Sequence, residues 1–190
     1  MKNPLLQTWK TPHELPPFDA IRTEHFEPAF DAAMAQHRSE VDALAAQTAN
    51  ISFENTVAAF DRTGRLLGRI ESVFSNLSSS ATSPELQAVE MRVAGPLSAH
   101  GSAVYMHQGL FQRIDAVHRV RDQLGLTPEQ IRLTERVHLD FVRAGASLEP
   151  QARARYAKLM EELASLTTRF AQNVLHDESS WHLLLSTESD

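Results

Sequence analysis

Two acid-x-x-His pairs, Asp115-x-x-His118 and Glu135-x-x-His138, fall on consecutive stretches whose apolar spacing is helical. An i, i+3 separation places each acid and its histidine on one helix face, as in four-helix bundles that hold a carboxylate-bridged di-metal centre. Such a centre also needs a Glu from each of two other helices. Glu40, Glu71 and Glu90 are the candidates, and the first pair carries Asp where Glu would be expected. The competing reading is structural. Beside Arg119, Arg121 and Arg136, both histidines serve as boundary residues that pair with a nearby acid or with water, since acid–His neighbours at this spacing are common on charged helices. We adopt the structural reading and assign no catalytic, cofactor-binding or metal residue.

The remaining histidines offer less. His37 lies on an apolar seam and reads as a hydrogen-bonded edge residue, while His100 and His107 share a face only if the helix continues past Gly101 and Gly109. His13-Glu14 begins like the zinc motif His-Glu-x-x-His, but its fifth position is Pro17, and the prolines forbid the helix that would align both ligands. The chain has no Gly-x-Ser-x-Gly elbow, no Gly-x-Gly-x-x-Gly turn and no phosphate-cradling Gly-x-x-x-x-Gly-Lys loop. Asn50-Ile51-Ser52 and Asn76-Leu77-Ser78 fit a glycosylation pattern but read as capping and helix-end residues.

Composition narrows the classes further. The 190 residues carry 18 Lys+Arg against 24 Asp+Glu, a net charge of −6, which does not favour nucleic acid as a partner. There is no cysteine, so disulfide frameworks, thiolate metal clusters and cysteine nucleophiles are excluded. The hydrophobic share of 42% supports a core. No apolar run approaches the roughly 20 residues of a membrane helix, so no membrane association is expected. The N-terminus lacks a signal-peptide core before Pro12, and a cytoplasmic location is expected by default.

The elements that would position these side chains are almost all helical. Residues 1–22, with Pro4, Pro12, Pro16 and Pro17, read as an extended arm whose Leu5, Leu6, Trp9 and Phe18 lie along a larger surface. Phe30, Met34, Val41 and Leu44 predict a helix over about 28–47. Ser52 is read as the cap of a second helix, carrying Phe53, Val57, Phe60, Leu67 and Phe74 past Gly64 and Gly68, where neighbours pack closely. Ser83-Pro84-Glu85 opens a third, which Gly95-Pro96 is expected to kink or break. A fourth spans about 110–124. Thr127-Pro128-Glu129-Gln130 supplies a capping box for a fifth ending near Gly145, and Pro150 opens a sixth with Leu159, Leu163, Leu166, Phe170 and Val174 on one face. Only Trp181–Leu185 looks strand-like. The expectation is an all-α, antiparallel bundle of about six helices, with the arm at 1–22 and one helical domain at 23–190.

Four strings, in order, resemble a known family: Pro16-Pro17-Phe18-Asp19-Ala20-Ile21, Glu24-His25-Phe26-Glu27-Pro28-Ala29-Phe30, Phe53-Glu54-Asn55-Thr56 and Phe141-Val142-Arg143-Ala144-Gly145-Ala146. They look like the N-terminal region of the thimet-oligopeptidase-like zinc metallopeptidases, and among its branches most like the bacterial peptidyl-dipeptidases, which remove dipeptides from peptide C-termini. The resemblance implies a longer parent enzyme whose zinc sits in a C-terminal catalytic region on His-Glu-x-x-His and a downstream Glu, none of which is in this chain. It implies that these 190 residues are an N-terminal piece ending before the catalytic region and inactive alone. In the parent they would form one wall of a channel that admits short peptides. The partner would then be the missing catalytic half, with self-association through exposed apolar faces as a consequence of its absence. The alternatives are a free-standing bundle with the di-metal carboxylate/histidine site, or a helical interaction module docking through its apolar faces.

Overall fold

The computed structural model describes residues 2–181, 183 and 184. Seven α-helices account for most of them: α1 (Phe26–Ala45), α2 (Val57–Asp61), α3 (Arg65–Ser80), α4 (Pro84–Tyr105), α5 (Gln108–Val120), α6 (Pro128–Arg143) and α7 (Pro150–Ser180). No strand occurs among the described residues. The fold is an all-α bundle, as the apolar spacing predicts.

Helix starts follow capping chemistry. Ser83 Oγ accepts from Leu86 N at 3.2 Å, with Pro84 and Glu85 in the first turn of α4. At α6 the box is reciprocal: Gln130 N donates to Thr127 Oγ1 at 3.4 Å and Thr127 N to Gln130 Oε1 at 3.0 Å. His107 caps α5, its Nδ1 accepting from Leu110 N at 3.2 Å. That role, with its approach of 3.3 Å to Asp42, separates His107 from His100.

Three expectations are corrected. The single helix expected from Ser52 to Phe74 is two. Ser52 and Asn55 instead close a turn by exchanging hydrogen bonds of 3.0 and 3.2 Å, α2 begins only at Val57, and Gly64 divides α2 from α3. Gly64 is left-handed (φ +67°), and a Cβ there would stand 2.8 Å from His37 Cε1, so both conformation and space demand glycine. The close packing expected at Gly68 is absent: its face is open. The break expected at Gly95-Pro96 does not occur either, and α4 runs through Pro96. There the helix is held from outside, since the Gly95 face lies against Ser165 and Glu161 of α7. The strand-like Trp181–Leu185 lies partly outside the described residues, and Trp181 itself is the extended cap of α7.

The arm is less extended than expected. It forms 3-10 turns at Pro4–Leu6 and Pro12–Glu14, with another at Thr23–His25 leading into α1. The surface it lies along is the chain's own. Leu5 and Ile21 are buried in the first core, and Arg69 of α3 holds the arm by donating from Nη2 to Leu5 O (2.7 Å) and Gln7 O (3.1 Å). Its guanidinium also sits 4.4 Å over the Trp9 ring. Phe18 remains half exposed.

Two apolar cores lie along α1. The first joins Phe26, Phe30 and Met34 to Ile70, Phe74, Val89 and Val93, with Phe26 and Phe30 set edge-on to Phe74 at 5.0 and 5.5 Å. The second joins Val41 and Leu44 to Val57, Phe60, Val104, Ile114, Val117 and Phe141. Phe30 meets Phe74 while His37 meets Gly64, so α1 and α3 are antiparallel; α5 with α6 and α4 with α7 are antiparallel by the same test. α1 and α4 run the same way, Glu27 meeting Arg92 and His37 meeting His100.

Candidate functional site

α5 and α6 are turned toward each other by the apolar residues Ile114, Val117, Val137 and Phe141, all in the second core. The half-buried edge of that pair brings together Asp115, His118 and His138, whose ligand-type atoms all lie within 4.8 Å of one another. His138 Nε2 donates to Asp115 Oδ1 at 3.1 Å, while the other carboxylate oxygen takes Arg119 Nη2 at 2.6 Å. The His118 and His138 rings stack face to face, 3.9 Å apart and 3° from parallel, and Phe111 stacks on the far side of His138. Burial lowers the pKa of His118. The charges of His138 and Arg121 add to this, against the opposing pull of Asp115 and Glu135.

Glu135, the fourth residue of the two spaced pairs, is not in the cluster. It faces Arg121 at 3.4 Å and Arg132 at 3.6 Å. The extra carboxylates of a di-metal centre are also engaged elsewhere. Glu40 accepts from Gly64 N (2.8 Å) and Gln36 Nε2 (2.8 Å), which with the charge of His37 outweighs burial and lowers its pKa. Glu90 accepts from Gln172 Nε2 of α7 at 2.9 Å, and Glu71, its pKa raised by burial, lines the same groove as Glu90 between α3 and α4. The structure therefore assembles three of the four motif residues and does not bring the bridging carboxylates to them.

A second pair of histidines went unrecognised in the sequence. His37 of α1 and His100 of α4 meet in the interior, His100 Nε2 lying 3.0 Å from His37 Nδ1, and His37 Nε2 lies 3.2 Å from Thr63 Oγ1. His100 is 5% exposed, and its Nδ1 has no hydrogen-bond partner among the described residues. Desolvation, with the charges of His37 and Arg38, lowers its pKa to about 4. A signal was present. His100 continues the α4 seam of Val93 and Val104, just as His37 continues that of Met34 and Val41.

α7 has its faces reversed with respect to this body. Toward α4 it presents Ala154, Ala157, Ser165, Thr168 and Gln172. Leu159, Leu163, Phe170 and Val174 are 37 to 69% exposed, and Leu166, about half exposed, edges a groove shared with Met91 of α4.

Comparison with known proteins places this architecture. No family model matches the chain. The dipeptidyl carboxypeptidase of Escherichia coli is 38% identical over 184 residues, covering 97% of this chain and 27% of that protein. The dipeptidyl carboxypeptidase of Salmonella typhimurium is 38% identical over 173 residues, 91% of this chain and 25% of the relative. Oligopeptidase A of Escherichia coli is 31% identical over all 190 residues and 27% of its own length. The homologues of this chain are dipeptidyl carboxypeptidases and oligopeptidase A, peptidases of the thimet-oligopeptidase family. It spans about a quarter of the length of these curated relatives.

In this thimet-oligopeptidase-like chain the four resembling strings occupy architectural positions. Ile21, Phe26, Ala29 and Phe30 build the first core. Phe53, Phe141 and Ala146 build the second, where Thr56 is also fully buried. Gly145, at φ +94°, turns the chain out of α6. Asn55 and Thr56, expected in the first turn of a helix, instead precede α2, where Arg113 Nη2 of α5 lies 3.4 Å from Asn55 Oδ1 and from Thr56 Oγ1.

Proposed function

We propose that this chain is the N-terminal, non-catalytic part of a zinc-dependent peptidyl-dipeptidase that removes C-terminal dipeptides from short peptides. It forms one wall of the substrate channel and is inactive alone, with residues 1–22 as its arm and 23–190 as its helical domain. The observation that carries this reading is the 38% identity over 97% of the chain to only 27% of a dipeptidyl carboxypeptidase. A cytoplasmic location belongs to the same reading, supported by likeness to a protein named as a probable cytosolic oligopeptidase A of Arabidopsis thaliana, 23% identical over 188 residues.

The described residues do not fit the catalytic zinc that such an enzyme uses. His118 and His138 come from different helices, α5 and α6, and not from one helix that would carry His-Glu-x-x-His with its activating Glu. The nearby Glu135 is committed to Arg121 and Arg132, so no free carboxylate stands ready to activate a water. The contribution of this chain is accordingly binding and shape. Its partner is the catalytic remainder of the same polypeptide, and the outward apolar face of α7 supports that assignment. A row of five large apolar side chains at helical spacing gains by burial about 25 cal/mol per Å² removed from water.

The test is hydrolysis of a short N-blocked peptide by the purified 190-residue chain with added zinc. The expected result is no release of the C-terminal dipeptide. Chelator-sensitive release by the chain alone would overturn the proposal.

A further inference from the structure

We infer that Asp115, His118 and His138 form a binding site for one divalent transition-metal ion of the zinc class, clamping α5 to α6. The inference is independent of the peptidase reading, because its role is to join two helices of this chain. Three features carry it. The first is convergence: one carboxylate oxygen and two imidazoles from facing helices lie within 4.8 Å of one another, and among the described residues this is the group of three that does so. The second is donor chemistry. Two imidazoles and one carboxylate suit zinc, cobalt, nickel or copper, whereas calcium and magnesium call for oxygen donors.

The third is the arrangement of charge around the cluster. Arg119 takes Asp115 Oδ2 and leaves Oδ1 facing the histidines, fixing the carboxylate as an outer partner fixes a metal ligand. Glu135 sits against Arg121 and offsets the cation nearest to His118. Without an ion, the proton on His138 Nε2 bridges to Asp115 Oδ1. An ion takes that bridging place, and the proton moves to Nδ1. The stacked rings present parallel in-plane lone pairs, so binding requires His118 to turn about its terminal torsion, which is broad and soft for histidine.

The experiment uses the whole 190-residue chain, stripped with chelator and titrated with zinc alone against a chromophoric competitor, while histidine ring resonances are followed by NMR. The expected result is saturation at about one ion per chain, with the His118 and His138 resonances moving together and the melting temperature rising. His118→Ala and Asp115→Asn each weaken binding by about tenfold or more, while His176→Ala, on exposed α7, leaves it unchanged. His118 is half-buried, and the helical circular dichroism of its variant checks that it folds. Asp115→Asn keeps the size of the side chain and removes only its charge. No saturable binding, or binding that survives both substitutions, overturns the inference.

Discussion

His100 is the residue whose charge state matters most for stability. In the folded chain it is held neutral beside His37, with its pKa lowered to about 4 by desolvation and by the charges of His37 and Arg38. Glu40 faces the same pair and partly offsets this at His37, whose pKa is also lowered by burial. An unfolded histidine takes a proton near 6.5. Between pH 6.5 and about 4 the unfolded state therefore binds more protons. Stability is complete above that window and falls as pH drops through it. Chemical denaturation at pH 7 and pH 5 should show a loss of about 2 kcal/mol, largely absent in His100→Gln. Equal pH slopes in both proteins would remove His100 as the cause. The two glycines of the expected packing motif give opposite results. Gly64→Ala should cost about 2 kcal/mol, since it combines a left-handed backbone with a contact at 2.8 Å to His37. Gly68→Ala, in open space inside α3, should stabilise by about 0.5–1 kcal/mol. At this scale the sequence was partly legible. The acid-x-x-His spacing located Asp115, His118 and His138, but it could not show that Glu135 turns to Arg121, because i, i+3 spacing fixes a face and not a rotamer. The His37–His100 pair depends on two helices far apart in sequence meeting in parallel, which periodicity alone does not encode.

At the scale of elements, capping signals were read correctly wherever the hydrogen bonds are local. Thr127 with Gln130 and Ser83 with Leu86 N are such cases. Expectations failed where tertiary contact decides. Gly64 became a boundary because His37 lies beneath it, and α4 runs on through the exposed Pro96 with the neighbouring Gly95 held against α7. The arm turned back onto α3 because Arg69 holds Leu5 O, Gln7 O and the Trp9 ring. The α5–α6 pair depends on Phe141, which is fully buried and lies 5.2 Å from Phe60 and 6.1 Å from Phe111. Phe141→Ala should cost about 3–5 kcal/mol in urea unfolding. A cost below about 1 kcal/mol would show that the second core does not rest on this ring.

At the scale of the whole molecule, α7 sets this body apart from a self-sufficient bundle. Its small and polar side chains meet α4, and its leucine and phenylalanine row faces outward. That inversion follows if the helix belongs to two surfaces at once, the N-terminal bundle and the remainder of a peptidase about four times as long. Single substitutions at Leu159, Leu163 or Phe170, each more than half exposed, should leave this chain's own stability within about 0.5 kcal/mol. The most direct measurement is the fluorescence of a hydrophobic dye with the dilute native chain and with the triple variant Leu159→Gln, Leu163→Gln, Phe170→Gln, which keeps the helix propensity of the row close to its own. The account predicts marked dye binding by the native chain and loss of most of it in the variant, with helicity and melting temperature unchanged. A native chain that binds no dye, or a variant that binds as much, would contradict the proposal that α7 meets the remainder of a longer peptidase.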